Sequence, residues 1–266
     1  MINVVVIKMN EKNLITYYNK FNEEKRLTHR HGIVEYQTAM HYIHEILKKF
    51  TNPIILDVGA GTGRYSIALS EEGYSVHAVE LIKHNLMTLK QKSEKVKTYL
   101  RNATDLSCFP DNSFDVVLLF GPLYHLIQKE EKIKALKEAK RVVKPGGFIL
   151  CSYYMNEYAI LTHGFRDNYI KEAIQNKEVD SNYHITPKLD DLYSMVRIED
   201  IDYMNKVAGL KRVKILAQDG PSDYMRPTLN KMDEETFHIF MDYHLSICER
   251  YELLGASSHV LDIVTK

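Results

Sequence analysis

Short apolar runs alternate with amphipathic stretches through the middle of this chain. Five apolar runs predict strands, at 54–59, 74–80, 96–102, 114–120 and 148–154. Three stretches with apolar residues at helical spacing predict helices, at 64–72, 83–95 and 129–143. The last stretch ends just before Pro145, Gly146 and Gly147, which are typical of a helix stop. Strands that alternate with helices predict an α/β fold, with a parallel sheet covered by helices on both faces.

The two ends of the chain lack this alternation. Residues 13–50 have helical periodicity, so residues 1–50 are predicted to be a helical region ahead of a domain at 51–266. Further elements are predicted as strands at 213–218 and 258–266 and a helix at 233–250. Residues 155–197 are polar and rich in tyrosine. Long insertions are usually functional, and open parallel sheets bind ligands beyond the carboxyl ends of their strands. We therefore predict that about 155–197 forms a cap over that edge, inserted after the fifth strand.

Composition and charge exclude several classes of protein. The 266 residues include 35 Lys+Arg and 35 Asp+Glu, a balance that disfavours nucleic-acid binding. No apolar run reaches the roughly 18 residues of a membrane span, and the N-terminus lacks the pattern of a signal peptide. Three cysteines without a CxxC pair, and histidine pairs without zinc-ligand spacing, predict neither disulfides nor a metal site. These features favour a cytoplasmic protein that binds neither membranes nor nucleic acid.

The segment PIILDVGAGTGRY (Pro53–Tyr65) places glycine at every second position where the first strand gives way to a helix. Glycine lets a ligand approach the backbone, and a helix N-terminus presents free N–H groups. The segment lacks the GK[ST] of a P-loop, and Arg64 stands where a dinucleotide fingerprint has its third glycine. Glu80 ends the second strand about 20 residues later, where a carboxylate can bind a ribose. The pattern indicates a ligand with a ribose but no diphosphate; a plain turn followed by a surface glutamate is the alternative.

Three segments resemble the successive motifs of class I S-adenosylmethionine-dependent methyltransferases, closest to the group of the ubiquinone/menaquinone-biosynthesis enzymes. They are ILDVGAGTGRYSIALSEEGYSVHAVEL, NATDLSCFPDNSFDVVLLF and RVVKPGGFIL, and the resemblance runs from about residue 52 to 154. It implies a Rossmann-like, seven-stranded, mostly parallel sheet whose last strand is antiparallel, and S-adenosylmethionine as methyl donor. It also implies that Glu80 binds the ribose and that Leu81, Asn102 and Ala103 contact the adenine. The residues implied to border the methionine part are Asp57, Gly59, Ala60, Gly61 and Gly63, and Phe120 is a further cofactor contact. The family usually has Asp at position 102, but the Asn carbonyl oxygen can also accept from the adenine amine.

The resemblance extends the expected site to two further segments. A leading helix folds over the cofactor in related enzymes, so residues 1–50 are expected to form a lid in which Tyr18 and Arg26 contact it; positions on a helix surface are the alternative. After the fourth strand, FGPLYHL is not the [DN]PP[YF] tetrad of enzymes that methylate base amines. Tyr124 and His125 are the candidate catalytic residues, with His125 as general base. The alternative is that His125 packs under the cap, hydrogen-bonded to a backbone carbonyl.

These features predict transfer of a methyl group from S-adenosylmethionine to a nitrogen or oxygen of a small-molecule or short-peptide acceptor. An RNA methyltransferase is one alternative, for which the lysines and arginine along 83–101 would have to supply a basic groove. A catalytically silent protein that only binds S-adenosylmethionine is another, and a nicotinamide oxidoreductase is disfavoured by the glycine spacing. The acceptor, the methylated atom and the oligomeric state are left open.

Overall fold

The computed structural model describes residues 13–17 and 29–266. Within them, seven strands form one sheet in the order β3-β2-β1-β4-β5-β7-β6. The strands are β1 (Ile54–Val58), β2 (Ser75–Glu80), β3 (Lys97–Leu100), β4 (Phe114–Leu119), β5 (Val143–Tyr154), β6 (Lys211–Ala217) and β7 (His259–Thr265). The first five pair in parallel, and β7 pairs antiparallel with both β5 and β6. The predicted Rossmann-like, seven-stranded, mostly parallel sheet is confirmed.

Helices cover both faces of this sheet. They are α1 (Arg30–Leu47), α2 (Arg64–Glu71), α3 (Lys83–Lys92), α4 (Pro122–His125), α5 (Lys129–Val142), α6 (Asn156–Ala159), α7 (Ile170–Gln175), α8 (Ile198–Ala208), α9 (Arg226–Leu229) and α10 (Glu234–Ile247), with a π-helical turn at Ile160–Arg166 and a 3-10 turn at Tyr251–Leu253. Residues 13–17 are also helical. Among the helices of the described ranges, none is both long enough and apolar enough to cross a bilayer.

The central strand β1 shows how the sequence builds the two layers. Successive side chains of a strand point to opposite faces, so Ile55 and Leu56 enter different cores although both are fully buried. Ile55 packs in the cluster that contains the apolar face of α1, whereas Leu56 packs in the cluster that contains α5 and α8. Burial on both faces explains why the parallel strands are continuous apolar runs. Parallel pairing brings the carboxyl ends of β1, β2 and β4 together at one edge of the sheet.

The start of β5 differs from the prediction. Helix α5 ends before Pro145 as expected, but the strand already begins at Val143 instead of 148. Val143 pairs with Phe114 and Phe148 pairs with Val116, with an irregularity of register between them. The Pro-Gly-Gly sequence is thus held in the strand as a bulge by pairing with β4, where the sequence suggests a turn.

Residues 155–197 form helices α6 and α7 and an irregular stretch that returns to the sheet. The backbone N–H of Val196 donates to the Tyr154 carbonyl at 2.9 Å, and the N–H of Ser194 donates to the Tyr124 carbonyl at 2.8 Å. The end of the segment therefore lies against the loop after β4, at the carboxyl edge of the sheet. Whether the segment closes over a bound acceptor stays a prediction, as does the division into a lid and a main domain.

Candidate functional site

A cavity of about 490 Å³ opens at the carboxyl ends of β1, β2 and β4. Its size is that of a site for one small molecule. Eleven of the residues that the sequence predicts line it: Asp57, Gly59, Ala60, Gly61, Glu80, Leu81, Asn102, Ala103, Phe120, Tyr124 and His125. Among the described residues, those that line the cavity include none from 155–197. The predicted lid contacts Tyr18 and Arg26 lie outside the described residues.

The glycines of the loop after β1 have different positions relative to the cavity. Gly59 has a φ of +82°, and a Cβ there would lie 2.5 Å from the ring of Pro122, so only glycine allows the loop after β4 to approach. Gly61 faces the cavity, and a Cβ there would meet no atom of the described residues within 4 Å. Gly63 does not line the cavity. A Cβ at Gly63 would lie 2.7 Å from Leu89, so this residue lets α2 pack closely on α3.

Glu80 joins the end of β2 to this loop. The backbone N–H of Gly61 donates to Oε2 and the N–H of Ile82 donates to Oε1, both at 2.8 Å. Burial raises the pKa of Glu80, against the effect of these two hydrogen bonds. A carboxylate offers about four acceptor positions, and the backbone N–H of Leu81 also bonds to Glu80, so one position remains for a hydroxyl group of a ribose. The geometry fits a ribose at this place, and the surface glutamate considered as an alternative is wrong because Glu80 is 6% exposed.

Asp57 at the end of β1 is a second buried carboxylate on the cavity wall. The hydroxyl of Ser66 donates to its Oδ2 at 2.6 Å. Burial raises the pKa of Asp57 to about 6, although the hydrogen bonds from Ser66 act in the opposite direction. An acid that is costly to ionise in this place is suited to a cationic ligand group, since a nearby positive charge stabilises the carboxylate. The amino group of a methionine part is such a group.

The adenine end of the site departs from the expectation in one respect. The Oδ1 atom of Asn102 accepts from both the backbone N–H and the hydroxyl of Thr104, each at 3.0 Å. A carbonyl oxygen has two lone pairs, so an adenine amine could bond to Oδ1 only if the Thr104 hydroxyl turned away. Leu81 and Ala103 also line the cavity. The role of Asn102 stays a prediction.

Tyr124 and His125 lie on the short helix α4 at the other end of the cavity. Nδ1 of His125 lies 2.8 Å from the carbonyl oxygen of Leu192, and because a carbonyl only accepts, Nδ1 carries the proton. This is the packed arrangement that the sequence leaves open as the alternative to a general base. It leaves Nε2 as the basic nitrogen of the ring, so His125 stays a candidate base. The hydroxyl of Tyr124 lies beside Gly121, 3.6 Å from where a Cβ there would be.

Three further residues at this end were not predicted to act at the site. Glu35 of α1 lines the cavity, and its Oε2 lies 3.9 Å from Nδ1 of His259 at the start of β7. The same Nδ1 lies 2.8 Å from Oδ2 of Asp219, which follows β6. The sequence suggests only a satisfied strand residue for His259 and nothing for the two acids, because α1, β6 and β7 meet through the topology alone. We call Glu35, Asp219 and His259 the acid–imidazole cluster.

The acid–imidazole cluster also bears on metal binding. Among the described residues, these are the three acids and imidazoles whose donor atoms lie within 4.8 Å of one another. However, Nδ1 of His259, the nitrogen that faces the acids, is already hydrogen-bonded to Asp219. A metal ion would have to replace that hydrogen bond. The absence of a metal site therefore stays a prediction.

The sheet order, the glycine loop after β1 and the buried acid at the end of β2 fit an α/β protein that binds a nucleoside through backbone and carboxylate groups. Comparison with known proteins narrows this class. Residues 56–151 match the family described as Methyltransferase domain. A crystal structure of an S-adenosylmethionine-dependent methyltransferase from Methanosarcina mazei shares the fold, with a TM-score of 0.57 and 18% identity over 85% of this chain and 96% of that one.

Two curated relatives are similar to part of this chain. Demethylmenaquinone methyltransferase of Bacillus licheniformis is 38% identical over 103 residues, which are 36% of this chain and 42% of that protein. Cypemycin N-terminal methyltransferase of a Streptomyces species is 38% identical over 103 residues, which are 37% of this chain and 41% of that protein. The chain thus spans less than half the length of these relatives. Residues 56–151 form a methyltransferase domain of the class I S-adenosylmethionine-dependent type, for which S-adenosylmethionine is the cofactor.

Proposed function

We propose that this protein transfers a methyl group from S-adenosylmethionine to a nitrogen or oxygen of a small-molecule or short-peptide acceptor. The observation that carries the proposal is a single cavity that extends from Glu80, where a ribose fits, past the glycine loop to Tyr124 and His125. Cofactor groups and an acceptor can therefore meet in one enclosed space. Its three cysteines are free thiols, which agrees with the reducing cytoplasm that we propose as its location.

In this proposal the residues of the cavity bind and align the reactants. Bound S-adenosylmethionine supplies a methyl group on a sulfonium, which is displaced in line by the acceptor. Glu80 accepts hydrogen bonds from the ribose, Asp57 faces the amino group, and Leu81 and Ala103 pack against the adenine. Alignment of reacting groups and exclusion of water contribute several kcal/mol to such a reaction. His125 removes the acceptor proton through Nε2.

The acceptor is proposed from charge and from the two relatives. The net charge of zero supports a small acceptor over RNA, because RNA binding depends on many phosphate contacts. The names of the relatives indicate a quinone precursor in one case and the N-terminus of a peptide in the other. A demethylmenaquinone-like compound is therefore the second candidate acceptor.

Calorimetry and isotope transfer test the proposal. Titration with S-adenosylmethionine and its demethylated product should release heat, whereas NAD should not bind. Methyl-tritiated S-adenosylmethionine should then label small molecules in a cell extract, with labelling unaffected by ribonuclease. His125→Asn should lower the labelling rate about 100-fold if His125 is the base. Cofactor binding without labelling of any fraction would support the silent protein, and loss of labelling after ribonuclease would support the RNA methyltransferase.

A further inference from the structure

The acid–imidazole cluster lies where the acceptor would enter, beyond the loop after β4. It is supplied by three elements that converge at the carboxyl edge of the sheet. Glu35 comes from α1 and lines the cavity, Asp219 follows β6, and His259 begins β7. Both carboxylates are buried, with Glu35 8% and Asp219 3% exposed. Burial of two acids is costly unless they are paired and hydrogen-bonded, or bind a cation.

The hydrogen bonds fix the orientation of the imidazole. Asp219 accepts from the hydroxyl of Ser257 at 2.7 Å, from the backbone N–H of His259 at 2.8 Å and from Nδ1 of His259 at 2.8 Å. A carboxylate that accepts from Nδ1 holds the ring in one tautomer and one orientation. That orientation also turns Nδ1 towards Glu35, 3.9 Å away. Asp219 and His259 are thus placed to position the Glu35 carboxylate.

Aromatic rings surround the cluster. Tyr154 stacks on His259 at 5.3 Å between centroids, and Tyr124 lies at 5.8 Å. Tyr193 connects these two tyrosines, 6.2 Å from Tyr124 and 6.1 Å from Tyr154. Aromatic faces attract cations, and the attraction grows when the cation is removed from water. The cluster brings two acids together with a single imidazole.

We infer that the acceptor is a cationic amine, that Glu35, in place of His125, binds its ammonium group and receives its proton, and that His259 and Asp219 position Glu35. This inference rests on the proposed function. Removal of the ammonium group from water favours loss of its proton, against the attraction that the carboxylates and the rings exert on its charged form. The proton passes to the Glu35 carboxylate, the freed lone pair on nitrogen attacks the methyl carbon, and the carbon–sulfur bond breaks with its electron pair on sulfur. The products are the methylated amine and the neutral thioether.

Other charged groups near His259 belong to a separate pair. Asp223 lies close enough to interact with His259 electrostatically. It accepts hydrogen bonds from Arg226 at 2.6 and 2.8 Å and from the hydroxyl of Tyr158 at 2.8 Å. Asp223 is therefore paired with the guanidinium of Arg226. The pH dependence of the reaction is expected to arise from Glu35, His259 and the amine, with Asp223 and Arg226 as fixed charges.

Selective acetylation of a cell extract tests the class of acceptor. The extract is treated with an amine-acetylating reagent and then with hydroxylamine, which cleaves phenyl esters but not amides. Wild-type protein with tritiated S-adenosylmethionine should no longer label this extract. Glu35→Gln should lower the labelling rate about 100-fold with cofactor affinity within about twofold. His259→Gln and Asp219→Asn should lower the labelling rate less than Glu35→Gln does, and should shift the pH profile of labelling. The matched control is the exposed pair on α10, Glu234→Gln and His238→Gln, which should change nothing.

The outcomes separate this inference from the proposed function. Labelling that survives acetylation, or a Glu35→Gln protein with a labelling rate within twofold of wild type, overturns the inference and leaves the methyltransferase proposal in place. Labelling that requires an added divalent cation and is lost with a chelator also overturns it, in favour of a metal site. Absence of cofactor binding, or of any labelling by folded wild-type protein, overturns the proposed function and the inference with it. Thermal unfolding of each variant checks that it is folded.

Discussion

Replacing Asp57 with Asn should stabilise the protein more at neutral than at acid pH. Asp57 is 1% exposed, and burial raises its pKa from 3.8 to about 6. A group whose pKa is raised on folding contributes its full stability below the unfolded pKa, and that stability is lost as the pH rises through the folded pKa. The ionised carboxylate therefore opposes folding at neutral pH. Asn has the same shape, and its carbonyl oxygen can still accept from Ser66.

The magnitude follows from the two pKa values. A shift of about two units corresponds to a penalty of about 3 kcal/mol when Asp57 is fully ionised. Integration over pH leaves a penalty of about 1.5 kcal/mol at pH 5 and about 3 kcal/mol at pH 7.5. The gain in unfolding free energy from Asp57→Asn should thus increase by about 1.5 kcal/mol between these pH values. Any constant effect of the new amide group cancels in this difference.

Urea unfolding of the cofactor-free protein at both pH values measures this quantity, provided that the slope with urea is unchanged. Asp242→Asn, an exposed position on α10, is the matched control and should follow the pH dependence of the wild type. The same substitution at Asp57 should weaken S-adenosylmethionine binding, because the cationic amino group loses its charged partner. A gain that is equal at pH 5 and pH 7.5 would refute the argument that the ionised acid is destabilised by burial.

Three further predictions concern the loop, the ribose position and a buried lysine. Glu80→Gln should lower S-adenosylmethionine affinity about 10- to 100-fold in calorimetry, since a charged acceptor of hydrogen bonds is lost; an unchanged affinity would remove Glu80 from the ribose site. Gly59→Ala should lower the free energy of unfolding in urea by roughly 2–4 kcal/mol, because the new Cβ meets Pro122. Gly61→Ala should lower it by only about 1 kcal/mol and mainly weaken cofactor binding. Equal losses for the two variants would contradict this prediction. Burial lowers the pKa of Lys132 to about 7, so the wild type should gain about 2 kcal/mol between pH 7 and 9 relative to Lys132→Met. A lysine whose pKa is lowered by folding contributes stability at high pH that is lost as the pH falls through about 7. Parallel pH curves of the unfolding free energy for the two proteins would refute this prediction.

The strands could be predicted because burial on both faces makes each one a continuous apolar run. β1, β2 and β4 were located to within one residue at each end. β5 was not, since its first residues include Pro145 and two glycines, which locally favour a turn. Pairing of Val143 with Phe114 overrides that preference. Helix α8 was missed because no turn signals separate it clearly from the polar segment before it.

The cofactor half of the site could be read from the sequence because its contacts are local or lie on adjacent strands. Gly61 and Glu80 follow neighbouring strands whose carboxyl ends must meet, so the hydrogen bond between them is a consequence of the predicted sheet. Gly63 shows the limit of this reasoning. It shares the spacing of the loop, yet it contacts Leu89 instead of the cavity, because the rotation of α2 turns it towards α3.

The acceptor half could not be read in this way because its residues are joined only by the complete topology. Glu35 lies in the second turn of the amphipathic helix α1, where an acid normally faces water, but it is buried in the structure. His259 reaches the same edge because β7 runs antiparallel, so that its first residue lies beside the last residues of β5. The antiparallel direction of β7 therefore decides which side chains would face the proposed acceptor. The same reversal leaves the cofactor side of the sheet, built from β1, β2 and β3, unaffected. Acceptor preference can accordingly change through α1 and the last two strands while the cofactor half stays the same.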